Sequence, residues 1–138
     1  MKTIFAMFMA SALSVSAFAN NPCPVINIRT ENVSMIIRAE KDGRLATLHF
    51  GSAIDDVSIF TAYKSGINGN HGSPYETYPA EGWRVFNEPA LAITHRNGDL
   101  NTELRYESHD VKALDDNVSE TTIHMADIAE GTEVDLVY

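Results

Sequence analysis

After residue 20 the chain carries no sustained run of apolar residues at spacings of three and four. Instead, β-branched residues alternate with polar ones between turn pairs. That pattern predicts an all-β protein. The clearest unit is Val33 to Lys41, then Asp42-Gly43, then Arg44 to Phe50, where Asp-Gly suits a two-residue turn needing positive φ. With Lys41 opposite Arg44, the pairs Ala39:Ala46, Ile37:Leu48 and Met35:Phe50 share one face, and Arg38:Thr47 and Glu40:Leu45 share the other. One face is apolar and the other mostly wet, as in the strand pairs of an antiparallel β-sandwich.

A second hairpin follows the same logic, with Ala90 to Arg96 running into Asn97-Gly98 and Asp99 to Tyr106 returning. Pairing Arg96 with Asp99 places Leu91:Leu104, Ile93:Thr102 and His95:Leu100 on the inner face. A third pair joins Glu120 to Met125 with Glu133 to Tyr138 through a bend at Gly131, with Ile123, Met125, Val134, Leu136 and Tyr138 pointing inward. Between the first two hairpins, roughly Ser52 to Glu88, Gly66, Gly69, Gly72, Gly82, Pro74 and Pro79 mark a long excursion, and such loops usually bind ligands or form interface arms. The sequence stops on Tyr138, an inward aromatic within an alternating strand. Because finished domains tend to close on solvated residues, a continuation beyond Tyr138 is expected.

The N-terminus adds a targeting signal to this picture. Lys2 precedes an apolar run from Ile4 to Val15, and Ala17-Phe18-Ala19 fits the small-x-small cleavage rule. Residues 1–19 therefore read as a secretory signal peptide, residues 20–138 as one β-sandwich domain, and the destination as periplasmic or extracellular. The run is short for a spanning helix, and Asn21-Pro22 before Cys23 does not suit lipidation.

Charge narrows the partners. With 10 Lys+Arg against 19 Asp+Glu the net charge is −9, which repels phosphate backbones and anionic headgroups and argues against nucleic-acid and membrane roles. The single Cys23 cannot form an internal disulfide, and no Cys/His cluster has metal-ligand spacing; no metal or other cofactor is expected.

Candidate chemistry is sparse. Asp55-Asp56 and Asp115-Asp116 are adjacent carboxylates, which point to opposite faces in a strand and toward water in a turn, so solvated turn roles are expected. His49, His95, His109 and His124 lie in expected strands without ligand spacing, whereas His71 sits in a glycine-rich loop. Ser34, Ser73 and Ser108 lack a nucleophile-elbow setting. Tyr75, Tyr78, Trp83 and Phe86 cluster near Arg84, Asn87 and Glu88; such aromatics either stack on sugar faces or pin the excursion onto the sandwich. No residue is assigned a catalytic role.

The ordered set His49-Phe50-Gly51, Tyr78-Pro79, Phe86-Asn87-Glu88-Pro89-Ala90-Leu91, Asn97-Gly98, Leu104-Arg105-Tyr106 and Ser108-His109 resembles the start of a glycoside hydrolase family 36 α-galactosidase. The resemblance implies that residues 25–138 form the first part of a large β-sandwich, or supersandwich, preceding a (β/α)8 catalytic barrel absent from this chain. It further implies a retaining enzyme that releases terminal α-galactose from melibiose and raffinose-type oligosaccharides, with barrel aspartates as nucleophile and acid/base. A homo-oligomer is implied, in which a loop of this domain reaches a neighbour's active site and supplies an acid. None of Asp55, Asp56 or Glu76 can be matched to that acid, and His71, Tyr75 and Trp83 are the candidate substrate-binding residues. The expectation is an exported, non-catalytic N-terminal portion of an α-galactosidase. The alternative is a stand-alone secreted carbohydrate-binding sandwich that uses the Tyr75/Trp83 region.

Overall fold

A computed structural model describes residues 23–63, 75–82 and 88–138. The strands β1 (Val25–Arg29), β2 (Val33–Ala39) and β3 (Leu45–Ser52) form sheet I, and β4 (Arg105–Ala113), β5 (Ser119–Asp127) and β6 (Thr132–Val137) form sheet II. Both sheets are antiparallel, with sequence neighbours as spatial neighbours. Among the described residues the only helical element is a 3-10 turn at Ser58–Thr61. The protein is all-β and its two sheets form an antiparallel sandwich, as its alternation requires.

The Asp42-Gly43 turn differs from expectation in length. Glu40 N–H donates to Arg44 O at 2.8 Å and Gly43 N–H to Glu40 O at 2.9 Å, so the loop comprises Lys41, Asp42 and Gly43, with Gly43 at φ +86°. This is the three-residue hairpin that closes on a left-handed glycine. It shifts the pairs near the turn to Ala39↔Leu45, Arg38↔Ala46 and Ile37↔Thr47, and an irregularity between Ile36 and Ile37 then restores the expected Met35↔Phe50. Burial explains the choice. The two-residue turn would set Leu45 beside Glu40, among the charged side chains of Arg38 and Arg44, whereas the observed register turns it into the apolar core between the sheets, where it is 1% exposed.

The second hairpin is corrected further. Gly98, at φ +85°, also closes a three-residue turn, with His95 N–H bonded to Asp99 O at 2.8 Å. Its arms do not pair with each other. Glu81 N–H donates to Leu91 O and Thr102 N–H to Glu81 O, so the 80–81 segment lies between them. Leu91, Ile93, His95, Thr102 and Leu104 still turn away from solvent, but Leu100 is exposed. The third hairpin forms as expected, with Ile123↔Leu136 and Met125↔Val134. Tyr138 exchanges main-chain bonds with Thr121 and is partly covered, with 39% of its surface exposed.

The core lies between the sheets. Ile26, Ile37, Ala39 and Leu45 from sheet I meet Ile123, Met125 and Leu136 from sheet II, with Ala80 and Leu104 from the connecting segments. Sheet I is also buried on its other face, where Ser34, Ile36, Arg38 and Ala46 are inaccessible to solvent. The expectation that the Arg38 face is wet therefore fails, because the first part of the excursion folds back across it.

Candidate functional site

The cover over sheet I is held by polar groups. Asn27 Nδ2 donates to Ile54 O at 3.2 Å, Ile54 N–H donates to Ser34 Oγ at 3.0 Å, and Arg29 pairs with Asp55. Arg38 makes the largest contribution. Its Nη1 donates to Phe60 O and Tyr63 O, each at 2.6 Å, while Nε and Nη2 donate to Glu40 Oε1 at 3.0 and 2.7 Å. Carbonyls buried over a sheet need donors, and the guanidinium fork supplies several from one planar group. Phe60 is the buried aromatic of this segment.

The far end of the excursion returns to sheet I as an edge. Thr47 N–H donates to Tyr75 O at 2.8 Å and Thr77 N–H to Leu45 O at 2.9 Å, which sets Glu76 opposite Ala46 on the face that carries Arg38. Arg44 binds Asp42 Oδ2 through Nε and Nη2 at 2.9 and 2.7 Å. Burial pushes the Glu76 carboxyl above the ordinary carboxylate value, with the Arg44 guanidinium pulling it back and Asp42 adding to the rise. Its Oε2 is buried without a hydrogen-bond partner among the described residues. Arg38, Glu40, Asp42, Arg44 and Glu76 thus form a charged group on one side of sheet I. Sequence reasoning missed this group because it assigned Arg38 to solvent; the only hint was an arginine inside the apolar run Met35 to Ala39.

Of the candidate substrate-binding residues, His71 and Trp83 lie outside the described residues. Tyr75 is 53% exposed at the β3 edge and so is open to a ligand on its side-chain face. Of the adjacent aspartates, Asp56 and Asp115 take turn roles, as expected, and Asp55 pairs with Arg29 while remaining exposed. Asp56 accepts from Ser58, whose hydrogen bonds hold its carboxyl below the usual range, and Asp115 Oδ1 accepts from Asn117 and Val118 N–H groups at 2.8 Å. The strand histidines have local partners: His49 bonds Ser52 O, His95 bonds Thr102 Oγ1, His109 bonds Tyr106 Oη, and His124 bonds Asp135 and Asp110. Among the described residues no group of three or more His, Cys, Asp or Glu side chains is arranged to hold a metal.

Solved structures of α-galactosidases are similar to this chain in fold. That of Geobacillus stearothermophilus AgaA, a family 36 enzyme captured with stachyose, superposes with a TM-score of 0.67 at 23% identity, covering 83% of this chain and 20% of that one. The α-galactosidase of Lactobacillus brevis gives 0.68 at 19% identity, covering 83% of this chain and 19% of its own. The chain thus spans about a fifth of the length of these relatives, and at such identities the likeness is one of fold. No curated protein matches the chain. Residues 43–138 match the glycosyl hydrolase family 36 N-terminal domain, and the chain belongs to that family.

Proposed function

We propose that this chain is the N-terminal sandwich portion of an exported α-galactosidase that removes terminal α-galactose from raffinose-type oligosaccharides. The family match over residues 43–138 carries this reading. The hydrolytic step belongs to a barrel outside these residues, and this portion shapes the enzyme and its homo-oligomer interface. In support, both sheets expose apolar residues on their inner faces beyond the overlap: Phe50, opposite Met35, is 75% exposed, and Val111, opposite Thr121, is 63% exposed. Further strands laid beside the two sheets would cover them. The charged group on sheet I holds the base of the excursion, so a contact with substrate falls to its later part, where Tyr75, His71 and Trp83 lie in sequence.

The test is the mass of the native secreted protein, detected in the source organism with an antibody to residues 20–138. A band several times larger than 15.2 kDa that co-purifies with hydrolysis of a chromogenic α-galactoside is expected. A band near the size of this chain, binding oligosaccharide without hydrolysis, would instead make it a stand-alone carbohydrate-binding sandwich.

A further inference from the structure

The outer face of sheet II carries a row of three ionisable side chains, one from each strand. Alternation along β5 buries Ile123 and Met125 and turns His124 outward. Register then brings Asp135 of β6 directly opposite His124, and Asp110 of β4 opposite the neighbouring outward residue Thr122. His124 Nδ1 lies 2.7 Å from Asp135 Oδ1 and Nε2 lies 3.1 Å from Asp110 Oδ2, so each ring nitrogen meets a carboxylate on a different edge strand. Only the doubly protonated imidazolium can donate to both. The remaining charged groups on this face are Arg105 and Lys112 of β4, Glu120 of β5 and Glu133 of β6, and Glu107 stands at the β4 bulge beside Ser108, the residue opposite His124. The side chains of Asp110 and Asp135 are 83% and 62% exposed, which leaves the row open to bulk pH.

We propose that Asp110, His124 and Asp135 form a pH-responsive clasp that ties both edge strands of sheet II to β5 when His124 is protonated and frees β4 when it is neutral. The neutral ring keeps one N–H. The shorter contact to Asp135 retains it, which leaves the Nε2 lone pair facing the Asp110 carboxylate. That repulsion falls on β4, a strand already exposed along its length. Bonds from Asp135 and then Asp110 hold the imidazolium and raise the His124 pKa above the ordinary imidazole value of 6.5. The clasp is therefore closed below about pH 6.5 and opens as pH rises through the higher folded value. The inference is independent of the α-galactosidase reading.

The test uses the full chain with two readouts. Histidine NMR, with His124 assigned by its loss in H124Q, gives the titration midpoint. Hydrogen exchange, corrected for intrinsic rates, gives the protection of residues 107–113 from pH 5.5 to 8.5. A midpoint above 6.5 is expected, together with a fall in β4 protection of about two- to fivefold across it, in keeping with exposed ion pairs. The fall should vanish in H124Q and in D110N. His109 sits on the opposite face of β4, bonded to Tyr106, and these variants separate its titration from that of His124. A midpoint at or below 6.5, constant β4 protection in the wild-type chain, or the same fall in either folded variant overturns the clasp. If one variant fails to fold, the other decides.

Discussion

Replacing Arg38 with alanine tests whether the cover over sheet I is held by one side chain. The guanidinium is buried and bonded to Phe60 O, Tyr63 O and Glu40 Oε1. Its removal leaves two carbonyls without their donor and the Glu40 carboxylate, itself only 17% exposed, without its cation. Breaking a buried ion pair from one side costs about 3–5 kcal/mol. Since domains of this size hold about 5–15 kcal/mol in total, R38A should lose a large share of its stability in urea unfolding followed by circular dichroism. The loss should also be local: amide exchange at Ile54, whose N–H donates to Ser34 Oγ, should accelerate well before β5 loosens. R38K should recover only part, because an ammonium has no planar fork to span the same acceptors. A loss under about 1 kcal/mol with Ile54 still protected would refute the reasoning, since surface arginines cost that little.

Three further outcomes follow from the packing. Asp127 is buried and accepts N–H groups from Glu103, Ala129 and Glu130 at 2.7, 2.9 and 3.2 Å; D127A should cost at least about 2 kcal/mol, read as a drop in melting temperature. Gly43 and Gly98 share a left-handed φ, but a Cβ at Gly43 would lie 2.8 Å from Arg105 Cβ and one at Gly98 would meet nothing within 4 Å. G98A should therefore cost about 1–2 kcal/mol for backbone conformation alone, and G43A measurably more in the same denaturation assay. Glu76 has a raised carboxyl pKa, so the fold binds its proton more tightly than the unfolded chain does. Wild-type stability is thus lost as pH rises from the unfolded value of about 4.5 through the folded one, and E76Q, which stays neutral, should gain on wild type in urea midpoint over that interval.

The sandwich class was legible because alternation is a local property. Ile123, Met125, Val134 and Leu136 find their faces with a period of two whatever surrounds them. Turn length was not legible, since Asp-Gly and Asn-Gly serve two-residue turns and three-residue turns alike, and the choice at Gly43 rests on burying Leu45 against partners far along the chain. Strand β1, only five residues long, escaped notice, and β4, where His109 was expected in a strand, was not paired with β5 because it shows little burial on either face. The arms around Gly98 carried the correct inward residues except Leu100 but the wrong partner, because no pairwise pattern announces that residues 80–81 will insert between them.

The same distinction separates the parts of the candidate site. A sheet in a small sandwich ordinarily presents one face to water, yet sheet I is buried on both, so the segment after β3 serves as a third layer. Its acids touch that layer from the solvent side: Asp55, 89% exposed, pairs with Arg29, and Asp56 shapes the turn before Phe60, exposed contacts of a kind that hold a loop only weakly. Glu76 differs in being half-buried with one oxygen unmatched, and its neighbour Tyr75 alternates to the opposite face of the added edge strand, where its side chain is exposed. If the excursion meets a sugar, its described residues offer two exposed tyrosines on anchored backbone: Tyr75, held by Thr47, and Tyr63, held by Arg38.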